Sequence, residues 1–275
     1  MTGGIRMGVA LSEIGRAERH RGETSPVPTR AKLDAFCKAL SDATGISVKP
    51  YAAPRYDRLL RRLRLGEVEL AWLPPVLALT ALPKDAVPLA LPMRGKDAWF
   101  WTALFTRADS PIVELTDLSQ AHVVWVNRES ASGYLVMRAA LRAEGIDPDR
   151  AFAKQSFAQS HDAMVRTVMD DATAVGSTYL HLDQKGAASR AGWANQEVRV
   201  LKRAGPIPSD LLAASKELAE PLRERVAAAL TEGTHPALQE AASALFFATH
   251  LSRVEASHLS HLEVLGRYLL RERIP

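Results

Sequence analysis

Residues 122–141 read HVVWVNRESASGYLVMRAAL. The run opens on the apolar Val123, Val124, Trp125 and Val126 and passes through Asn127-Arg128-Glu129. It then reaches Ser130-Ala131-Ser132-Gly133-Tyr134 and continues with Leu135, Val136, Met137, Ala139, Ala140 and Leu141 at mixed helical spacing. That order predicts a strand, a tight loop and a helix. The chemistry lies in the loop. Small side chains let the backbone approach a ligand closely, and the first N–H groups of the following helix have no acceptor inside it, so the stretch suits an anion. A plainer reading gives Ser130 or Ser132 only the task of capping the helix.

Outward from this stretch, short apolar runs alternate with amphipathic segments. Ile5 to Ala10 predicts a first strand, followed by a polar loop that ends at Pro26 and Pro28. A helix is expected over 29–44, with Gly45 placed to close it in a left-handed turn. Next come a strand from Ile46 to Tyr51, a helix from Pro54 to Leu65 closed by Gly66, and a strand from Val68 to Leu73. Pro74 and Pro75 then set a rigid turn into another helix. Val87 to Met93 predicts a strand and Gly95-Lys96-Asp97 a turn, after which Trp99, Phe100 and Trp101 open a strand on which three adjacent aromatics cannot share one face. This alternation argues for an α/β lobe with a largely parallel sheet. Beyond the central loop, Ser160-His161-Asp162 starts a capped helix carrying Met164, Val165 and Val168. Ala172 to Ser177 and Glu197 to Arg203 predict strands, and the remainder from Ser209 reads as helical.

At 275 residues the chain is long for one core and comfortable for two lobes. No stretch approaches the roughly 18 apolar residues of a membrane span. A net charge of +4 raises nucleic acid as a partner, but the basic residues are dispersed. The one dense cluster, Arg55, Arg58, Arg61, Arg62 and Arg64, is interleaved with leucines and reads as the solvated face of an amphipathic helix. Cys37 is the single cysteine, which excludes an intrachain disulfide, and it shares an apolar stripe with Leu33, Phe36 and Leu40. His258 and His261 lie three apart on the last helix, a spacing that suits a metal only with further ligands. They read as a solvated face. Met1 to Gly4 leads directly into Ile5 without a basic and then apolar leader, so the chain as given reads as cytoplasmic, or as periplasmic if an export signal has been removed.

The loop Ser130-Ala131-Ser132-Gly133-Tyr134 resembles the ligand loop of the phosphate/phosphite/phosphonate substrate-binding proteins of ABC transporters, in which a Ser-x-Ser-Gly-Tyr run opens a helix. The resemblance extends to Tyr56 through Gly66 with Glu69 to Pro74, to Asp109-Ser110-Pro111-Ile112 and Asp117-Leu118, to Ser160-His161-Asp162 and to Gly205-Pro206-Ile207-Pro208. It covers Ile5 to about Phe247. It implies an α/β, two-lobed type 2 periplasmic-binding fold, with a ligand cleft between lobes joined by two crossing strands. Residues 1–103 and 200–275 would form the first lobe and 104–199 the second. The ligand residues it implies are Ser130, Ala131, Ser132, Gly133, His161, Tyr56, Trp99, Phe100 and Pro74. Three departures stand out. Phe100 or Trp99 replaces the family's tyrosine, Ala131 replaces a hydroxyl residue, and Gly176 replaces an acidic residue that would countercharge an aminoalkyl ligand.

The resemblance thus implies a binding protein for a phosphate-like or phosphonate-like oxyanion. It implies no cofactor and no metal, and as partner an ABC-transporter permease or a signalling protein. Two alternatives stay open at this point. One is a cytoplasmic enzyme of the same fold acting on a small carboxylate, with His161 and Asp162 as the acid–base candidates. The other is a cytoplasmic ligand sensor.

Overall fold

Each apolar run that alternates with an amphipathic segment becomes a strand covered by helices. In the computed structural model, residues 4–10, 29–93, 98–128, 130–183 and 185–271 are described. The expected polar loop through Pro26 and Pro28, the Gly95-Lys96-Asp97 turn and Glu129 lie outside them. The chain divides into two units, Met1–Ala98 with Ser209–Leu262, and Trp99–Pro208 with Glu263–Pro275.

The first unit carries β1 (Ile5–Ala10), α1 (Thr29–Thr44), β2 (Val48–Ala53), α2 (Tyr56–Arg64), β3 (Leu70–Leu73), α3 (Pro75–Ala81) and β4 (Ala86–Met93). After the second unit the chain returns as β11 (Leu211–Ser215), α6 (Glu220–Thr231), α7 (Pro236–Phe246) and β12 (His250–Ser252). Its strands lie in the order β12-β4-β11-β3-β1-β2. β1 pairs with β2 and β3 in parallel, whereas β11 pairs antiparallel with β3 and β4, and β12 antiparallel with β4. The expectations of a largely parallel sheet and of a purely helical tail from Ser209 are therefore corrected. Leu211-Leu212-Ala213-Ala214 has helix-favouring composition, but all four side chains are buried and the backbone pairs with a strand on either side, and pairing overrides propensity. Phe36, Trp72 and Phe246 meet in the core of this unit, with centroids 4.9 Å and 3.9 Å apart for the Phe36–Phe246 and Trp72–Phe246 pairs. Cys37 is buried in the same core, and desolvation pushes its thiol up to about 12, so it behaves as a small hydrophobe. On α2, Leu59, Leu60 and Leu63 are buried while its basic residues point outward to partners such as Glu67 and Asp85.

The second unit carries β5 (Trp99–Arg107), β6 (His122–Trp125), a π-helical turn (Ala131–Leu135) running into α4 (Val136–Ala143), β7 (Lys154–Phe157), α5 (His161–Asp170), β8 (Ala174–Leu182), β9 (Ala188–Ala191) and β10 (Val198–Pro208). The strand order is β10-β5-β8-β6-β7, with β9 beside β8. β6 runs parallel to both β7 and β8, and β5 runs antiparallel to β8 and β10. β5 and β10 pair along their lengths from Trp99–Pro208 to Arg107–Val198. Both strands therefore belong wholly to this unit, and the units part at Ala98/Trp99 and Pro208/Ser209. The expected lobe boundaries, 103/104 and 199/200, fall inside β5 and β10. The last helix, α8 (Ala256–Arg271), contains the remaining boundary, at Leu262/Glu263.

α8 also holds a correction. His258 is buried instead of solvated, and its Nδ1 accepts the Glu255 backbone N–H at 3.1 Å. It closes the first turn of the helix as a cap. Among the described residues no group of three His, Cys, Asp or Glu side chains could hold a metal, and no helix is long and apolar enough to cross a membrane.

Candidate functional site

The Ser130 loop and the start of α5 are brought together by strand direction. β6 and β7 are parallel neighbours, so the segments leaving them emerge at the same sheet edge, where open α/β sheets place ligands. The two exits are also tied to each other. Ala158 N–H donates to the Trp125 carbonyl at 2.9 Å, and Gln159 N–H to the Val126 carbonyl at 2.8 Å. Gln159 takes a left-handed backbone (φ 65°) as it turns the chain into the cap of α5.

In the loop, Ser130 accepts the Gly133 N–H on its Oγ at 2.9 Å, while Leu135 N–H reaches back to the Ser130 carbonyl at 3.0 Å and closes the wide π turn. The capping reading of Ser130 is thus realised, and it orients the turn whose leading N–H groups, on Ala131 and Ser132, precede any acceptor inside the helix. Gly133 is required by close approach. A Cβ there would lie 2.4 Å from Val126 Cγ2, 2.5 Å from Val126 Cβ and 2.8 Å from Ser130 Oγ. Ser132 is buried, and its carbonyl accepts two hydroxyls, Thr102 Oγ1 at 2.6 Å and Ser177 Oγ at 2.8 Å. Tyr134 turns into the core, edge-on to Trp125 and beneath the Arg138 guanidinium. Buried Arg138 in turn donates to Asp149 at 2.7 Å and, with Arg142, holds that carboxyl below the usual carboxylate range.

The second helix start is built in the same way. Ser160 caps α5 by accepting the Ala163 N–H at 3.1 Å, which puts His161 in the first turn. His161 Nδ1 lies 2.7 Å from Thr178 Oγ1, so Thr178 sets the ring's orientation. When the Thr178 hydroxyl donates, Nε2 carries the proton and becomes a hydrogen-bond donor, the form suited to an oxyanion. Gly192 makes room for that hydroxyl, since a Cβ at residue 192 would stand 2.0 Å from Thr178 Oγ1.

β8 is therefore the strand that gathers this half of the site. Ser177 holds the Ser130–Gly133 loop through the Ser132 carbonyl, Thr178 holds His161, and His181 stacks on Phe100 at 5.8 Å. Trp99, half-buried, opens β5 opposite Pro208, while Trp101 packs on the core of the unit. The other two candidates belong to the first unit. Tyr56 is the first residue of α2 and Pro74 the N-cap of α3, both half-buried. Each follows a strand that pairs in parallel with β1, so both stand at one edge of the first sheet. At Gly176, where the resemblance has an acidic residue, there is no room for one. Its Cβ direction points at Met164 Sδ, 2.2 Å away, and Val168 Cγ2, so an acidic side chain there would meet the α5 packing.

Sequence reasoning missed the supporting residues Thr102, Ser177, Thr178, His181 and Gly192. The one available signal was Ser177-Thr178, adjacent hydroxyls inside an otherwise apolar strand. Buried hydroxyls must have partners, and here the partners are the Ser132 carbonyl and the His161 ring.

The family model for the phosphonate periplasmic substrate-binding protein of ABC transporters matches residues 23–262. A comparison with curated proteins finds no match. Among solved structures, a Xanthomonas citri protein bound to ATP aligns with a TM-score of 0.72 at 20% identity over 98% of each chain. A binding protein component of an ABC phosphonate transporter from Pseudomonas aeruginosa aligns at 0.67 and 19%, over 99% of this chain and 88% of that one. A Prochlorococcus marinus protein in complex with methylphosphonate aligns at 0.66 and 16%, over 97% and 98%. At such identities these structures speak to the fold alone, the α/β type 2 periplasmic-binding fold with its two mixed sheets.

Proposed function

The chain belongs to the periplasmic substrate-binding proteins of phosphonate ABC transporters, and from that membership we propose that it captures a phosphate- or phosphonate-like oxyanion. The Ser130–Gly133 loop and His161 grip the anion, and Tyr56 and Pro74 close on it from the first unit. Lobe closure then presents the loaded form to a permease. The observation that carries the reading is the joining of two capped helix starts at one sheet edge, with His161, in the first turn of α5, oriented by Thr178. Helix amino ends favour an anion by roughly 0.3–1 kcal/mol each. Charge-assisted hydrogen bonds add roughly 1.5–3 kcal/mol each. Three or four such bonds, after ordering costs, support about micromolar affinity.

The family's role is binding for transport, and the geometry around His161 fits that role. The Thr178 hydroxyl against His161 Nδ1 is an arrangement that orients a donor. The test is a thermal-shift screen against phosphate, phosphite, methylphosphonate, aminoethylphosphonate, sulfate and aromatic carboxylates. Stabilisation by a phosphorus oxyanion is the expected outcome, as the linkage signature of binding to the folded state. A shift from a carboxylate with none from any phosphorus compound overturns the proposal.

A further inference from the structure

Resting on the oxyanion reading, we propose that the preferred ligand carries a planar aromatic substituent on its phosphorus group, an aryl or nucleobase-like tail instead of an alkyl or aminoalkyl one. The reason is what β8 presents beyond the anion loop. Successive odd positions of a strand share a face. Ser177 on that face holds the Ser132 carbonyl at 2.8 Å. Two residues on, the Tyr179 ring meets His161 edge-to-face at 5.3 Å and 70°. Two residues further, the His181 ring stands 6.1 Å from Tyr179 and stacks on Phe100 at 5.8 Å with planes 29° apart. From the neighbouring β9, Arg190 pairs with His181 and places its guanidinium 5.9 Å from the Tyr179 ring.

The row is thus continuous from the anion loop, through the anion donor His161, to a ledge of rings that starts beside that donor. Phe100, Tyr179 and His181 are each half-buried, unlike the fully buried aromatics of this unit such as Trp125 and Phe105. Rings of this kind receive a flat π system in offset or edge-to-face contact, and lose little rotamer freedom in doing so. Arg190 adds a cation that stacks on an aromatic ligand and repels an ammonium tail.

The test is calorimetric titration of the protein with three probes sharing one head group: methylphosphonate, phenylphosphonate and cyclohexylphosphonate. The last matches the phenyl group in apolar size without being planar. Phenylphosphonate is expected to bind about ten-fold more tightly than the other two. In His181→Ala, and independently in Phe100→Leu, which keeps an apolar side chain, the preference for phenyl over methyl should fall toward unity. Equal affinities for methyl- and phenylphosphonate overturn the aromatic tail while leaving the oxyanion site standing. Equal gains from phenyl and cyclohexyl overturn planarity, and full preference in both variants removes the ledge from the site. Binding of none of the three overturns the oxyanion reading and this inference together.

Discussion

Gly133 has no room for a side chain, and the atoms in its way cannot swing aside. Val126 Cβ is fixed to its own backbone, and Ser130 Oγ is held by the bond it makes to the Gly133 N–H. Gly133→Ala therefore forces the turn open. We expect a loss of about 1–3 kcal/mol in urea unfolding, together with loss of oxyanion binding by calorimetry; an unchanged affinity would take the turn out of the site. Thr178 allows a finer cut. Thr178→Val keeps the shape but removes the hydroxyl facing His161 Nδ1, and should weaken anion binding by about 1 kcal/mol, roughly five-fold, while Thr178→Ser retains it. If the two variants bind alike, His161 is held by its packing alone. At this scale the sequence was legible where a signal is local. Ser130 and Ser160 precede apolar helical patterns; Ser160 caps as expected, and Ser130 caps as its plainer reading has it. Thr178 and Ser177 were not legible as site residues, because their partners lie 17 and 45 positions away along the chain.

At the scale of elements, the same contrast separates α1 from β11. The amphipathic run of α1 occupies the expected 29–44, because its period alone decides it. Leu211–Ser215 carries no period, and only its two antiparallel neighbours make it a strand. α8 joins an element to a pH response. Burial lowers the pKa of His258 from 6.5, ahead of the opposing charge of Glu255 and the like charge of His261. The unfolded chain thus binds the proton more readily than the folded one. The neutral imidazole's contribution is present above pH 6.5 and is lost as the pH falls below that value toward the lowered one. His258→Gln keeps an acceptor for the Glu255 N–H and removes the titration. Its melting temperature should fall less than the wild type's between pH 6.5 and about 5. Parallel curves would assign the acid sensitivity elsewhere.

For the whole molecule, the order of motifs along the chain implies two lobes, and the positions of the unit boundaries follow from pairing. β5 and β10 bond to each other nearly end to end, which assigns both to the second unit. The candidate ligand residues then fall on both units, with Tyr56 and Pro74 on the first and Trp99, Phe100, Ser130–Gly133 and His161 on the second. Under the proposed function a ligand is gripped from both, and contacts made only in a closed arrangement shift the population toward it. Tyr56→Phe tests that grip from the side that holds no anion loop. Removing a hydroxyl that donates to a charged oxygen should cost roughly 1.5–3 kcal/mol of binding, more than ten-fold in affinity. Solution X-ray scattering supplies the independent readout. The wild type should become more compact at saturating ligand, and the variant should compact less at the same ligand concentration. Tight binding without any compaction, unaffected by Tyr56→Phe, would mean that the second unit captures the anion alone.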